Sequence, residues 1–292
     1  PIWIMRQAGR YLKEFQKVKK RSGGFIKMIY SPKIISEITL QPIKKFGFDS
    51  AIIFSDILVI PDSLGQKLTY KDNEGPKLEA MEVKEMILNL KVEKNKKKLR
   101  KIYKGIKKTK KKINKKKTSL IGFVGAPLTI SFFMLDQLKR KKYKEILLKM
   151  KNEKGNFNKL IKILEEAITK HALNQIKAGV QIIQVFDTWA SVANKRELQE
   201  YSIEPIRRIC NNIKKKFPKT PIIVFPRKVK GNYTKYIMPS VDCIGVSEDI
   251  TQKEISEIQK KKIIQGNLNP QTLVRGGRRL EIEVKNVFKK FS

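Results

Sequence analysis

Short apolar runs alternate with amphipathic stretches along the whole chain. The runs are rich in β-branched residues and lie at residues 2–5, 50–60, 119–124, 180–186, 221–225, 241–246 and 262–265. Runs this short and this continuous are typical of parallel strands that are covered on both faces. The segments between them carry helix signals, so the pattern predicts an α/β protein with seven parallel strands.

Two of the intervening segments have clear helix signals. Residues 31–46 begin with Ser-Pro, an N-cap followed by proline at the first helical position. Apolar residues recur at helical spacing over 160–176, and Gly179 marks the end of that helix. His171 lies on this apolar stripe, where we expect a lone histidine to be packed in the core.

The absence of two sequence motifs excludes two common α/β architectures from first consideration. Neither GxGxxG after the first strand nor a P-loop pattern occurs, which disfavours a Rossmann sheet and a P-loop fold. A (β/α)8 TIM-type barrel fits the alternation better, with its active site at the carboxyl ends of the strands. No repeat or low-complexity linker divides the chain, so residues 1–292 are predicted to form a single domain.

The charge is strongly basic, with 65 Lys and Arg against 27 Asp and Glu, a net +38. Residues 94–117 hold 15 of the bases and no acid, so 50 bases against 27 acids remain elsewhere. Most of the excess of basic over acidic residues is therefore spread along the chain. Within 94–117 the apolar residues keep helical spacing, which predicts an amphipathic helix whose lysines face water. We favour this solvated face over a specific nucleic-acid site, and expect only salt-sensitive binding to polyanions.

The few histidines and cysteines exclude several kinds of site. One histidine cannot build an HExxH zinc centre, and Cys210 and Cys243 form neither a CxxC pair nor a disulfide framework. The longest apolar runs hold about ten residues, whereas a membrane-spanning helix needs about 20. Arg6 and Arg10 stand where the apolar part of a signal peptide would begin. These features predict a cytoplasmic protein without a membrane segment.

Polar clusters follow five of the predicted strands, which predicts a pocket at one end of the barrel. Arg6 and Arg10 follow the first strand and are suited to bidentate carboxylate capture, although a surface turn remains the alternative. Asp56 interrupts the apolar run AIIFSDILVI, where an acid needs a donor or a cation, for function or for structure. The other clusters are 122–129 (GFVGAPLT), 186–190 (FDTWA) and 265–270 (QGNLNP).

These clusters belong to longer motifs that resemble one family. The segments PIWIMRQAGRYL, AIIFSDILVIPDSLG, LIGFVGAPLT, AGVQIIQVFDTWA, PIIVFP and QGNLNP are similar, in this order, to the motifs of the uroporphyrinogen decarboxylase family. The resemblance implies a (β/α)8 barrel, usually a cytoplasmic homodimer, that works without metal or organic cofactor. It implies removal of CO2 from the four acetate arms of uroporphyrinogen III, giving coproporphyrinogen III on the haem and chlorophyll routes.

The resemblance also implies roles for individual residues. Asp56 accepts hydrogen bonds from the pyrrole N–H groups and stabilises the cationic intermediate. Arg6 and Arg10 hold substrate carboxylates, one of them near the proton-transfer step, and Thr188 supplies a hydroxyl contact to a carboxylate. The substrate-binding loop between the two arginines consists of Gln7, Ala8 and Gly9.

Three departures from the family pattern are visible. Phe133 stands where the family has a substrate-contacting tyrosine, and residues 136–142 replace a glycine-rich segment. The chain also begins on the first strand motif and stops at Ser292, before the family's eighth strand with its substrate-contacting histidine. The expectation is therefore a truncated barrel with seven of eight strands, incomplete at both ends.

Two other functions remain as alternatives. One is a degenerate, non-catalytic relative or a basic nucleic-acid-binding protein. It is supported by Phe133, by the net charge and by the absence of the strand that carries the family's substrate-contacting histidine. A corrinoid or thiol methyltransferase of the same barrel superfamily is less favoured, because it needs a zinc site built from His and Cys.

Overall fold

The computed structural model describes residues 1–71, 75–92, 94–114, 117–135 and 143–291. The strands are β1 (Ser50–Ile52), β2 (Leu68–Lys71), β3 (Gly75–Leu78), β4 (Ser119–Gly125), β5 (Ile182–Asp187), β6 (Ile222–Pro226), β7 (Cys243–Gly245) and β8 (Ile263–Gln265). Six of them form a parallel sheet of order β1-β4-β5-β6-β7-β8, while β2 and β3 pair as a separate antiparallel hairpin.

Helices connect the strands of the parallel sheet. They are α1 (Lys13–Ser22), α2 (Phe25–Ile29), α3 (Pro32–Phe46), α4 (Val59–Leu64), α5 (Val83–Asn89), α6 (Lys96–Lys112), α7 (Pro127–Leu135), α8 (Tyr143–Asn152), α9 (Lys154–Ala178), α10 (Lys195–Leu198), α11 (Glu204–Lys216), α12 (Gln252–Gln259), α13 (Pro270–Arg275) and α14 (Gly277–Phe291). Within the ranges given above, none of these helices is both long and apolar enough to cross a membrane.

The predicted helices are confirmed. Ser31 caps α3, its hydroxyl accepting from the Ile34 amide at 3.5 Å, and α9 ends before Gly179, whose φ is 115°. His171 is 3% exposed, and its Nδ1 lies 2.9 Å from the Tyr103 hydroxyl. Burial lowers the pKa of His171 to about 3, so it is a neutral core residue, as expected.

The basic segment forms an amphipathic helix, as its spacing predicts. Ile102 and Ile106 of α6 are fully buried against the main core, and many of its lysines are exposed. Gly105 allows a close approach to α3, because a Cβ atom here would lie 2.8 Å from Cγ2 of Ile35.

Two strand predictions are wrong in detail. Residues 2–5 do not form a strand, since only Ile2 makes a backbone bond toward β1, accepting from the Asp49 amide at 3.1 Å, and its own amide is taken by the Asp49 carboxylate at 2.6 Å. The run 50–60 is a strand only over Ser50–Ile52. Its second half turns at Asp56 and continues as α4, because a buried apolar run suits a helix as well as a strand.

The sheet therefore contains six parallel strands within the described ranges, against seven predicted. The hairpin β2–β3 was not predicted, because its residues lack clear apolar alternation.

The N-terminal segment shows how strongly the parallel sheet curls. Ile2 bonds to Asp49 beside the edge strand β1, while Trp3 Nε1 donates to Oε1 of Gln265 in the opposite edge strand β8 at 3.1 Å. Adjacent Cα atoms lie about 3.8 Å apart. Two neighbouring residues can bond toward both edges only if those edges face each other.

The two faces of the sheet have different surroundings. Ile183 and Val185 of β5 belong to the main core under the helices. Phe186 lies on the other face, with its ring centroid 5.6 Å from Phe123 of β4 and 6.2 Å from Phe225 of β6. These rings line the inner side of the curled sheet near its carboxyl end.

Candidate functional site

The loop of residues 6–10 is fastened to the edge of the sheet by Gln7. Its side chain is 1% exposed, with Nε2 donating to the Ser50 carbonyl at 2.6 Å and Oε1 accepting from the Ile52 amide at 3.2 Å. The amide thus satisfies backbone groups that an edge strand leaves unpaired. This bonding gives Gln7 a positioning role for the loop and the strand that leads to Asp56.

The small residues of the loop shape its turn. Ala8 packs against the second core cluster, which contains Leu12 and Phe15. The Gly9 carbonyl accepts from the Leu12 amide at 3.0 Å, and α1 starts one residue later. The turn leaves the side chains of Arg6 and Arg10 exposed on either side of Gln7.

The two arginines differ in their contacts. Arg10 Nη2 donates to the Tyr70 hydroxyl on β2 at 2.5 Å. For the Arg6 guanidinium, the described part of the chain provides neither a hydrogen bond nor an ion pair. One guanidinium is thus anchored and the other is open to an anion.

Asp56 lies at the turn between β1 and α4. Its Oδ1 accepts from the Leu58 amide at 2.8 Å, and burial of the carboxyl raises its pKa to about 6. Neither arginine forms an ion pair with Asp56 in the ranges that the structure covers, so no cation offsets the effect of burial. At neutral pH the carboxyl is ionised and lacks a cationic partner, which suits it to accept donors from a ligand.

The Asp56 segment packs directly on the carboxyl end of β4. A Cβ atom on Gly125 would lie 3.1 Å from Cβ of Ile57 and 2.9 Å from Cγ1 of Ile130. The small residue at 125 therefore makes room for the side chains of Ile57 and Ile130. Ile57 is adjacent to Asp56, so Gly125 helps to place the carboxylate.

We expect Gly125→Ala to move Ile57, lower stability by about 1–3 kcal/mol through overpacking and reduce turnover. Gly155→Ala is the matched control, because nothing lies within 4 Å of a Cβ atom there. Thermal unfolding and kcat should show the loss at 125 only, with the control unchanged or slightly more stable. Equal behaviour of the two variants would contradict the role given to Gly125.

Thr188 directly follows β5 and is partly buried. Asp187 beside it is fully buried, with Oδ1 accepting from Thr129 Oγ1 at 2.5 Å and Oδ2 accepting from the Ser202 hydroxyl. Thr129 also accepts from the Trp189 amide at 3.1 Å. These bonds hold the residues on both sides of Thr188.

Asp187 was not predicted as a functional residue, although the sequence carried a signal. An acid at the end of the apolar run before Thr188 needs buried donors, and the hydroxyl of the GAPLT segment, Thr129, supplies one. Ser202 extends the set to the Tyr236 hydroxyl at 2.7 Å. Burial raises the pKa of Asp187, while the two hydroxyl bonds counteract the effect.

Phe133 packs against Trp189, the residue that follows Thr188. Its ring centroid lies 6.3 Å from Trp189 in an edge-to-face contact, and Phe132 stacks on the same indole at 6.0 Å. The position at which the family has a tyrosine is thus filled by an aromatic ring without a hydroxyl. The replaced glycine-rich segment, residues 136–142, lies outside the described residues.

The segments that carry the predicted site residues are each attached to the parallel sheet, but among the described residues no hydrogen bond or ion pair joins Arg6 or Arg10 to Asp56 or Thr188. Gln7 ties the arginine loop to β1, Ile57 packs on Gly125 of β4, and Thr129 bonds to the residues around Thr188. Among the residues the structure describes, no group of three or more His, Cys, Asp or Glu is placed to hold a metal ion.

The comparisons with known proteins show the family of the chain. The family model described as Uroporphyrinogen decarboxylase (URO-D) matches residues 1–292. The uroporphyrinogen decarboxylase of Rickettsia massiliae is 40% identical over 275 residues, which cover 94% of this chain and 79% of the relative. That of Orientia tsutsugamushi is 41% identical over 275 residues, covering 94% and 80%.

A solved structure shares the fold. A methyltransferase from Methanosarcina mazei superposes with a TM-score of 0.73 at 13% identity, covering 94% of this chain and 81% of that one. At this identity the likeness concerns the fold alone. The family match over the whole chain and the identity to its curated members together show that this chain belongs to the uroporphyrinogen decarboxylase family.

Proposed function

We propose that this chain is a carboxy-lyase that removes CO2 from the acetate arms of uroporphyrinogen, in tetrapyrrole biosynthesis. The observation that carries the proposal is the partly buried Asp56 carboxylate, with its raised pKa and without a cationic partner in the described residues, at the turn between β1 and α4. Membership of the family, shown above, names the substrate class.

The chemistry needs an electron sink, and the substrate itself provides one. Protonation of an electron-rich pyrrole gives a cation, and the C–COO⁻ bond electrons flow into that ring as CO2 leaves. A second proton then converts the exocyclic methylene into a methyl group, and loss of the first proton from the ring restores the neutral aromatic pyrrole, so that one proton is consumed for each CO2 released. Asp56 accepts the pyrrole N–H groups and stabilises the cation, and a preorganised group of this kind contributes about 10²–10³ in rate.

The arginines and Thr188 bind the carboxylates that stay on the substrate. Each hydrogen bond between a guanidinium and a carboxylate contributes about 1.5–3 kcal/mol. Arg6 is exposed and Arg10 presents its guanidinium from the same loop, so they supply two separate carboxylate contacts. Family membership supports the transfer of Thr188's hydroxyl contact to this chain.

The finer architecture belongs to the same proposal. We infer that residues 1–292 form one domain and that the curled six-stranded sheet is part of a (β/α)8 barrel, supported by the contacts of Ile2 and Trp3 with opposite sheet edges. A cytoplasmic homodimer is the inferred state. Light scattering of the purified protein tests the dimer, and a monomer at micromolar concentration contradicts it.

An anaerobic assay with uroporphyrinogen III tests the activity. We expect products with seven, six, five and finally four carboxylates, ending in coproporphyrinogen III, without added metal or cofactor. Chromatography of the oxidised porphyrins separates these species. Persistence of the octacarboxylate with folded protein would contradict the proposal and favour a non-catalytic relative.

Arg6→Ala is expected to raise KM for uroporphyrinogen about 10-fold or more, because one charged hydrogen-bond set is lost. Steady-state kinetics measure the change. Arg21→Ala is the matched control, since Arg21 lies on α1 and is paired with Glu37 on the surface. A KM for the Arg6 variant that equals that of the control would remove Arg6 from carboxylate binding.

The methyltransferase alternative is not favoured. The curated relatives at about 40% identity are decarboxylases, whereas the methyltransferase match is 13% identical. Cys243 lies on the sheet and His171 is buried on α9 beside Tyr103, so these two residues are already used in packing.

A further inference from the structure

The hairpin β2–β3 brings a phenol to the arginine loop. Tyr70 lies on β2 opposite Pro76, and its hydroxyl accepts from Arg10 Nη2 at 2.5 Å across 60 positions of sequence. The arginine is exposed and Tyr70 is partly buried. No motif of the sequence pointed to this tyrosine, because it belongs to a hairpin that the pattern did not predict.

The Tyr70 ring is held in place independently of Arg10. It stacks on Phe25 at the start of α2, with ring centroids 4.9 Å apart and planes at 27°. Phe25 in turn contacts Phe54 edge to face at 6.3 Å, and Phe54 lies two residues before Asp56. Lys19 Nζ lies 6.0 Å from the centroid of the Tyr70 ring. The aromatic contacts therefore link the phenol to the segment that carries Asp56.

The hydrogen-bond capacity of this pair is only partly used. A phenol has one proton to donate and can also accept, and a guanidinium has five N–H donors. Tyr70 accepts from Arg10, so its own proton remains to be donated, and the described part of the chain offers it no acceptor. Arg10 likewise keeps most of its donors free of side-chain acceptors within the same residues. The unused N–H donors of Arg10 and the O–H donor of Tyr70 thus lie next to each other at the protein surface.

We propose that Tyr70 and Arg10 together form a subsite for a carboxylate arm of the tetrapyrrole, in which Tyr70 fixes the guanidinium and donates its proton to the same carboxylate. The inference rests on the proposed function, and it adds a substrate-binding residue to that site. An anion is the ligand that this arrangement selects, because guanidinium offers donors only and the phenol has its donor left. The fixed guanidinium also loses less rotamer entropy on binding.

Tyr70→Phe tests the subsite, since it keeps the ring that stacks on Phe25 and removes only the hydroxyl. We expect KM for uroporphyrinogen to rise roughly tenfold, as for the loss of one hydrogen bond to a charged group, while kcat changes less than about twofold. Tyr143→Phe, at an exposed tyrosine on α8, is the matched control and keeps the wild-type KM. An unchanged KM in Tyr70→Phe would overturn the proposal.

A double-mutant cycle separates this role from a structural one. In an Arg10→Gln background, Tyr70→Phe should raise KM by less than twofold, because the two side chains bind the same carboxylate. A full and independent tenfold effect in that background would show that Tyr70 acts elsewhere and would contradict the shared subsite.

Binding of uroporphyrin, the oxidised octacarboxylate, distinguishes failure of the subsite from failure of the proposed function. Fluorescence quenching should give a Kd roughly tenfold weaker for Tyr70→Phe than for the wild type. If the wild type does not turn over uroporphyrinogen but this difference is seen, the decarboxylase proposal fails and the carboxylate subsite stands. If turnover is normal and both proteins bind uroporphyrin equally, the subsite alone is refuted.

Discussion

Asp56→Asn is expected to lower kcat by about 10²–10³-fold, because the neutral amide no longer stabilises a cationic pyrrole. The isosteric side chain keeps the turn, since its carbonyl can still accept from the Leu58 amide. Anaerobic assays with uroporphyrinogen, stopped at fixed times, measure the decrease in kcat. Glu85→Gln on α5, an exposed carboxylate, is the matched control and should keep wild-type turnover.

The raised pKa of Asp56 adds a pH dependence to this result. The carboxylate is the active form, so kcat/KM of the wild type should fall as pH decreases through about 6. Burial makes the pKa of Asp56 higher in the folded protein than in the unfolded chain. Ionisation of Asp56 therefore lowers the free energy of unfolding once the pH exceeds the pKa of the unfolded chain. Asp56→Asn should therefore be more stable than the wild type above pH 6, by on the order of 1–3 kcal/mol, and equally stable near pH 3. Unchanged turnover in a folded Asn variant would remove Asp56 from its assigned role.

Asp187→Ala is expected to destabilise the protein by about 2–4 kcal/mol, because two buried hydroxyl donors lose their acceptor. Thr129 and Ser202 donate to the two carboxylate oxygens, and the whole residue is inaccessible to solvent. Denaturant unfolding gives the free energy. Asp187 lies on the sheet face that carries Ile183 and Val185, under the helices, so it acts on the site by positioning Thr188.

Glu82→Ala is the matched control for this loss. The Glu82 carboxylate is 66% exposed and paired with Lys149, and an exposed ion pair contributes about 1 kcal/mol or less. Asp187→Ala should also raise KM, since the residues around Thr188 lose their anchor. Equal destabilisation by the two variants would show that the buried hydroxyl set contributes nothing beyond a surface pair.

The helices and most strands could be predicted because their signals are local. The cap at Ser31, the end of α9 at Gly179 and the stripe of α6 each depend on residues close in sequence. The run 50–60 failed for the opposite reason. An apolar run buried on all sides has no periodicity to separate strand from helix, and the turn at Asp56 divides it.

The site residues could be predicted only as far as contiguous motifs carry them. Arg6, Arg10, Asp56 and Thr188 stand in such motifs. Tyr70 does not, and the role of Gly125 as a seat for Ile57 is visible only once β4 and the Asp56 turn are packed together.

The sequence by itself determined the α/β alternation, the family and the polar residues that follow the strands, since each of these is written in neighbouring residues. The tertiary structure alone decided which side chains meet. Arg10 forms a hydrogen bond with Tyr70, 60 positions away in the sequence, and Thr129 forms one with Asp187, 58 positions away. Such pairs depend on how the sheet curls and where each helix returns, and these are set by the packing of the whole core, which no local pattern encodes.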